Sequence, residues 1–334
     1  GPLSDRYGRR RVLLVSISIF AVVSTGAAYS PNIEIFLLCR VLQTSIISGH
    51  VLSRAIARDI VGATRSASFI GYMTMGMALV PMIAPPIGGI LQEFSGWQAN
   101  FLVQTGVALV ALILVYLDLG ETASRATGGF SRLFGMLPEL IRSRRFWGYS
   151  VTGAFTAGTF FAYLGGSPFV GARVYGLEPG QIGFYFCFAP VGYFFGNAFS
   201  GRFAVRIGMR QMVVAGAIIV TLGMGASLVC LLAGATHALA FFGFTVFIGI
   251  GNGLTLPSAN AGIMSVRPEL AGAAAGIGGS LMTLGGGTMS LITGNLVAVE
   301  TSAEILLVCI LISGFMGIIA ALYTARVEAM VRNI

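Results

Sequence analysis

Two arginine-centred groupings carry the chemistry this chain can offer. Arg40 stands inside an apolar band at residues 33–55, seven residues from the end that carries Glu34. That places it roughly 10 Å deep at 1.5 Å per residue. A permanent cation at that depth costs several kcal/mol against lipid, so it should face protein. It then either bonds helix-end carbonyls or reaches out to Glu34, or it lines an internal cavity. Ile47, Val51, Arg54 and Arg58 fall on the same helical face, within about 40° at 100° per residue. The second grouping is Asp5 among Arg6, Arg9, Arg10 and Arg11, a carboxylate and four guanidiniums between apolar bands. It is either a solvated turn or an ion-pair device. No other constellation competes. Cys39, Cys187, Cys230 and Cys309 lie singly in apolar bands, without the paired spacing of a metal site. No nucleotide-binding Gly-x4-Gly-Lys-Ser/Thr and no nucleophile–His–acid grouping occurs. The expectation is therefore no catalytic residues, no metal and no cofactor.

The elements that position these residues are set by composition. Apolar residues make up 56% of the chain and charged residues 10%. A soluble domain carries about a quarter charged residues, so lipid must solvate much of this surface. All twenty basic residues are arginine. They sit in short clusters between apolar bands, which argues for membrane topology and against a nucleic-acid partner.

Ten bands are long enough for spanning helices, which need roughly 20 mostly apolar residues: 12–29, 33–55, 66–91, 97–118, 146–169, 180–200, 211–232, 238–258, 271–297 and 304–324. With Arg6–Arg11 placed in the cytoplasm, alternation puts nearly every arginine cluster on that side. Arg173 is the exception, and Glu34, Glu93, Glu178, Glu300 and Glu304 fall on the other side. That one-sidedness predicts a multi-pass protein of the cytoplasmic (inner) membrane, with the opening loop and the 120–145 loop inside.

The opening stretch has an echo. Gly1 to Gly8 followed by Arg10 is matched by Gly201 to Gly208 followed by Arg210, each leading into an apolar run. Later bands keep an offset near 200–207 residues, from 12 against 211 to 97 against 304. The pattern predicts an all-α polytopic protein of two similar bundles. Residues 1–119 form the remainder of the first, 120–145 the connecting loop, and 146–334 a six-helix second bundle. Two bands precede the second copy of the echo, so two matching bands are expected upstream of residue 1.

These features resemble the major facilitator superfamily. Gly1-Pro2-Leu3-Ser4-Asp5-Arg6-Tyr7-Gly8-Arg9-Arg10 looks like its signature loop between helices two and three. Arg40-Val41-Leu42-Gln43 is similar to the fourth-helix Arg-x-x-Gln-Gly, with Thr44 in place of the last glycine. Residues Gly76 to Gly89, with Pro81, Pro85, Pro86, Gly88 and Gly89, look like the fifth-helix element of drug:proton antiporters. Arg54-Ala55-Ile56-Ala57-Arg58-Asp59-Ile60 further resembles the bicyclomycin-resistance (Bcr/CflA) type of multidrug exporter. The resemblance spans the chain as helices three to twelve of twelve.

The resemblance implies proton-coupled export of drug-like molecules by alternating access, driven by a proton gradient. Arg40 and Gln43 would serve transport and coupling. Asp5, Arg9 and Asp59 would form a lock near the N-terminus of the 271–297 helix, where free N–H groups favour an anion. Pro81, Pro85, Gly88 and Gly89 would kink and pack the antiporter helix against the glycine-rich 271–297 band. Phe155, Tyr163, Phe188 and Asn252 are cavity candidates, the rings suited to flat or cationic drugs. The carboxylates that fall within the bands, such as Glu34 and Asp118, sit near band ends, so the proton-carrying acid is expected in the upstream helices. His50 is read as a packed polar residue. The Gly192/Gly196 and Gly249/Gly253 faces are read as helix contacts. The partners expected are protons, a small-molecule substrate and the bilayer, with the protein a monomer. Two alternatives stay open. One is uptake or facilitated transport of a sugar, peptide or other metabolite. The other is a non-transporting truncated membrane protein.

Overall fold

The computed structural model describes residues 7–47, 49, 52–53, 56–57, 60, 80–122, 138–267, 270–300 and 302–332. Among them no strand occurs. The chain divides into two compact units, Gly1–Val80 with Ile87–Gly128, and Pro81–Pro86 with Gly129–Ile334. Among the described residues, seven helices are long and apolar enough to cross a membrane. They correspond to seven of the expected bands. The 146–169 band is a helix of full length whose start carries Arg144 and Arg145. In the 33–55 band the regular helix stops at Gln43 and tightens into a 3-10 turn at Thr44–Ile46. Residues 66–79 of the third band lie outside the described residues.

The first unit is built from α1 (Arg9–Ala28), α2 (Ile33–Gln43), α3 (80–95, apart from its Pro81–Pro86 segment) and α4 (Gln98–Asp118). Asn32 starts α2 by accepting the Ile35 N–H at 2.9 Å, and Glu34 follows in the first turn, where the helix dipole favours a negative charge. Leu13, Ile17 and Ala21 of α1 are buried with Leu52, Ile56 and Ala108. Thr25 of α1 meets Thr105 of α4 at 3.2 Å, hydroxyl to hydroxyl.

The second unit contains α5 (Arg144–Phe169, running into a π turn at Val170–Val174), α6 (Pro179–Tyr185), α7 (Phe188–Ile207), α8 (Met209–Leu232), α9 (Leu239–Phe242), α10 (Thr245–Ser265), α11 (Ala271–Val299) and α12 (Ala303–Arg332). Helix α5 is central and packs on α10, α11 and α12. Its face is small and polar: Ser150, Thr152, Thr156, Thr159 and Ser167 are buried. Thr152 and Ser167 return their hydroxyls to the carbonyl four residues back, and Thr159 to that three back, so the helix satisfies them without water.

At the glycines of α7 and α10 the two backbones meet directly. A Cβ at Gly249 would collide with the Ala189 carbonyl oxygen, and one at Gly192 with that of Val246. One at Gly253 would lie 2.7 Å from the Asn197 nitrogen. Within a bilayer the drive for helices to associate comes from such close van der Waals contact, because lipid is as apolar as leucine. The two glycine-spaced faces are thus each other's partners. In α11, Gly285 and Gly286 lie against Ala154 and Phe161 of α5, whereas a Cβ on Gly276, Gly279 or Gly287 would meet nothing within 4 Å.

Pro81–Pro86 belongs with the second unit. Pro86 has no N–H, so the Met82 carbonyl loses its partner four residues on. That oxygen accepts the Cys187 thiol instead, at 3.1 Å.

Candidate functional site

In the first unit Arg40 donates from Nη1 to Gln43 Oε1 at 2.8 Å. Gln43 passes the interaction on, its Nε2 donating to Ser24 Oγ of α1 at 2.8 Å. Gln43 and Ser24 are buried at 5% and 0% exposure, while Arg40 itself is exposed. The guanidinium carbon also lies 5.9 Å from the centroid of the Phe101 ring on α4. Phe101 in turn joins Phe36 and Trp97 in a three-ring edge-on cluster, with centroids 5.5–5.9 Å apart. One cation is therefore oriented by three helices: by an amide from its own, a hydroxyl behind that amide, and an aromatic face. The i, i+3 spacing of Arg40 and Gln43 puts both on one face of α2. Ser24 was not legible as their partner, because nothing in its sequence neighbourhood marks it among many small residues.

The expected lock is only partly within view. Asp5 and Asp59 lie outside the described residues, as do Arg54, Arg58 and His50. Arg9 donates its backbone N–H to Glu121 Oε1 at 2.7 Å. Gly8, just before α1, has φ 94° and ψ 142°, a region open essentially to glycine alone. A Cβ there would also collide with the Glu121 carboxylate. Glu121 therefore supplies the anion at the start of α1, where N–H groups lack intrahelical partners. Next to it Arg10 donates to the Tyr116 carbonyl at 2.7 Å and lies over the Tyr116 ring at 5.5 Å. Sequence reasoning passed over Glu121 as a linker residue. The repeat could have found it, because Glu328 follows it by the 207-residue offset that relates the 97 and 304 bands. Glu121→Ala should cost about 1 kcal/mol, as loss of a helix cap does. Gly8→Ala should cost about 1–3 kcal/mol through backbone strain. Thermal unfolding of the purified protein in detergent should rank them in that order, with Glu121→Gln near wild type.

Of the antiporter-helix residues, Gly88 offers its carbonyl to Asn100 Nδ2 at 3.2 Å, and Gly89 stands next to it in α3. Pro81 and Pro85 fall in the segment assigned to the second unit. Tyr163 and Asn252 are packed inside that unit, at 0% and 3% exposure. Tyr163 packs tilted against Phe186 with ring centroids 5.0 Å apart, and Asn252 donates to Thr159 Oγ1 at 3.2 Å and to the Ile248 carbonyl at 2.9 Å. Phe155 is half-buried in a groove with Trp147, Met316 and Tyr323. Phe188 is half-buried too, and stacks on Tyr185 at 6.3 Å. Tyr163 and Phe188 thus belong to one chain of ring contacts through Phe186, Phe242 and Tyr185, whereas Phe155 lines a different groove. Among the described residues no group of His, Cys, Asp and Glu has metal-binding geometry.

An arginine–glutamine node inside a spanning bundle, behind a glycine-marked basic turn, fits a known lineage. Residues 1–290 match the family profile of the Major Facilitator Superfamily. The chain belongs to the major facilitator superfamily. It is 32% identical over 308 residues to the MFS-type transporter YdgK of Bacillus subtilis, covering 88% of this chain and 74% of the relative. It is 28% identical over 324 residues to a bicyclomycin resistance protein homolog of Haemophilus influenzae, covering 94% and 80%. It is 27% identical over 318 residues to multidrug resistance protein D of Escherichia coli, covering 89% and 75%. These relatives accord with the Bcr/CflA-type resemblance of the 54–60 segment. Among solved structures, a bacterial homolog of the human lysosomal transporter Spinster superposes with a TM-score of 0.74 at 17% identity, covering 98% of this chain and 84% of that one. That likeness shows the fold.

Proposed function

We propose that this superfamily member exports small drug-like molecules in exchange for protons, by alternating access, in the cytoplasmic membrane with its arginine-rich loops inside. The observation that supports the reading best is the match, over 94% of the chain, to a bicyclomycin resistance protein homolog. The oriented Arg40–Gln43–Ser24 relay adds a physical basis. It holds a fixed cation at depth that an anionic or protonatable partner can meet and leave. Coupling to a proton gradient accounts for energy, since the sequence holds no nucleotide-binding loop.

The test is a drug-susceptibility panel in an efflux-deficient bacterium expressing the protein. The expected result is raised resistance to at least one compound, abolished by collapsing the proton gradient. Resistance equal to empty vector across the panel, with radiolabelled sugar, peptide or metabolite accumulating instead, would overturn export in favour of uptake.

A further inference from the structure

The two copies of the glycine-marked turn share a backbone but not a partner. Gly208 has φ 95° and ψ 145°, matching Gly8. At Gly8 the neighbouring space holds the Glu121 carboxylate; at Gly208 a Cβ would meet nothing within 4 Å. The equivalent acid, Glu328 of α12, does not come within 4 Å of that Cβ and pairs with Arg145 at 2.8 Å. Arg145 is held further by donating to Ser265 Oγ at 2.9 Å. The start of α8 accordingly has no side-chain cap. In place of the missing carboxylate there is a cavity of about 420 Å³, lined by Arg145, Gly208, Met209, Arg210, Gln211 and Glu328 among others. Among the described residues Arg210 makes no ion pair or hydrogen bond.

A second cavity, of about 400 Å³, shares Arg210 and Gln211 with the first. Its remaining lining is apolar: Val214, Ala215 and Ile218 of α8 with Ala325 of α12. Arg210, Val214 and Ile218 follow at four-residue spacing, so this groove runs down one face of α8 for about two turns, roughly 12 Å. Helix α8 is one of the membrane-crossing helices, and Ile218 remains 38% exposed on it. A basic pocket at a helix end thus opens into an apolar channel along that helix.

We propose that the two cavities together seat one anionic phospholipid. The phosphate lies against Arg210, Arg145 and the unpaired first-turn N–H groups of α8, and an acyl chain follows Val214, Ala215 and Ile218. Charge selects the class: two guanidiniums against one carboxylate leave one positive charge for a phosphodiester. The groove selects a lipid over a free anion, because soluble phosphate leaves the apolar channel unfilled.

The test uses the whole purified protein, delipidated in neutral detergent and titrated with phosphatidylglycerol, phosphatidylethanolamine or glycerol 3-phosphate, with native mass spectrometry and thermal unfolding as readouts. Phosphatidylglycerol should bind about tenfold or more tighter than either alternative. Arg210→Gln should weaken it about fivefold, the share of one arginine beside an anionic headgroup. Ile218→Trp, an exposed site that can take bulk, should weaken it comparably. Arg173→Gln, the same charge change at the opposite end of α5, should leave it unchanged. Equal binding of phosphatidylethanolamine, or wild-type affinity in Arg210→Gln, overturns the proposal. So does glycerol 3-phosphate matching the lipid while Ile218→Trp is silent, which marks a headgroup-only anion site. Should Ile218→Trp fail to fold, the Arg210→Gln and glycerol 3-phosphate arms still decide. Loss of drug resistance plays no part in these readouts, so they stand apart from the export assay.

Discussion

Arg40→Ala should bring drug resistance down to the empty-vector level while leaving the yield of folded protein near wild type. The asymmetry follows from where the side chain spends its interactions. Its guanidinium is exposed and, among the described residues, makes one hydrogen bond, to Gln43, plus the approach to Phe101. Removing it leaves the Gln43–Ser24 bond and the buried face of α2 intact. A lost charge-assisted hydrogen bond to a bound partner costs about 1.5–3 kcal/mol, a factor of ~10 or more in affinity. Arg40→Lys should recover part of the activity, since an ammonium keeps the charge but loses the planar fork and the ring contact. Gln43→Leu should behave in the opposite way. It strands the Ser24 hydroxyl in a buried site, so folded yield falls along with transport. Resistance at wild-type level in Arg40→Ala, with equal protein in the membrane, would remove Arg40 from the mechanism.

Gly249→Val should abolish folding of the second unit, the largest stability effect expected of any single substitution here. Overpacking a core typically costs about 1–3 kcal/mol because side chains can still shift. At Gly249 the obstacle is the backbone of α7 itself, at Ala189 and Tyr193, which has no rotamer to change. The cost should therefore exceed ~3 kcal/mol. Gly287→Val is the matched control, being the same exchange in a helix with nothing within 4 Å of the new Cβ. Size-exclusion profiles of the two variants in detergent should show aggregate for Gly249→Val and a monodisperse peak for Gly287→Val. Two similar profiles would mean that the α7–α10 contact is looser than the structure has it.

Spanning helices were legible because length and apolarity are nearly all they need, and both are written locally. The bands at 97–118 and 211–232 differ from the observed helices by a residue or two. Helix ends were less legible. Helix α12 runs on to Arg332, past the expected 324, because its last turns are held by an ion pair to Arg145, 183 residues away in sequence. The same distance effect hid Glu121, whose bond to Arg9 joins residues 112 apart. Arg40 and Gln43 could be singled out because a charge in an apolar band is conspicuous, and their spacing announced a shared face. Phe155, Tyr163, Phe188 and Asn252 could not be sorted, because aromatic and amide residues in an apolar helix carry no mark of which way they point. Glycine spacing revealed two small-residue faces but not that they were made for each other. That pairing depends on tertiary approach alone.

The backbone-to-backbone contact at the glycines of α7 and α10 gives the molecule a built-in ruler. Where main chain meets main chain there are no rotamers to re-sort, so these two helices should travel as one rigid spar. Probes attached to their outer faces should therefore report an unvarying separation under every condition that leaves the protein intact. Against that fixed length the displacement of any other helix can be gauged.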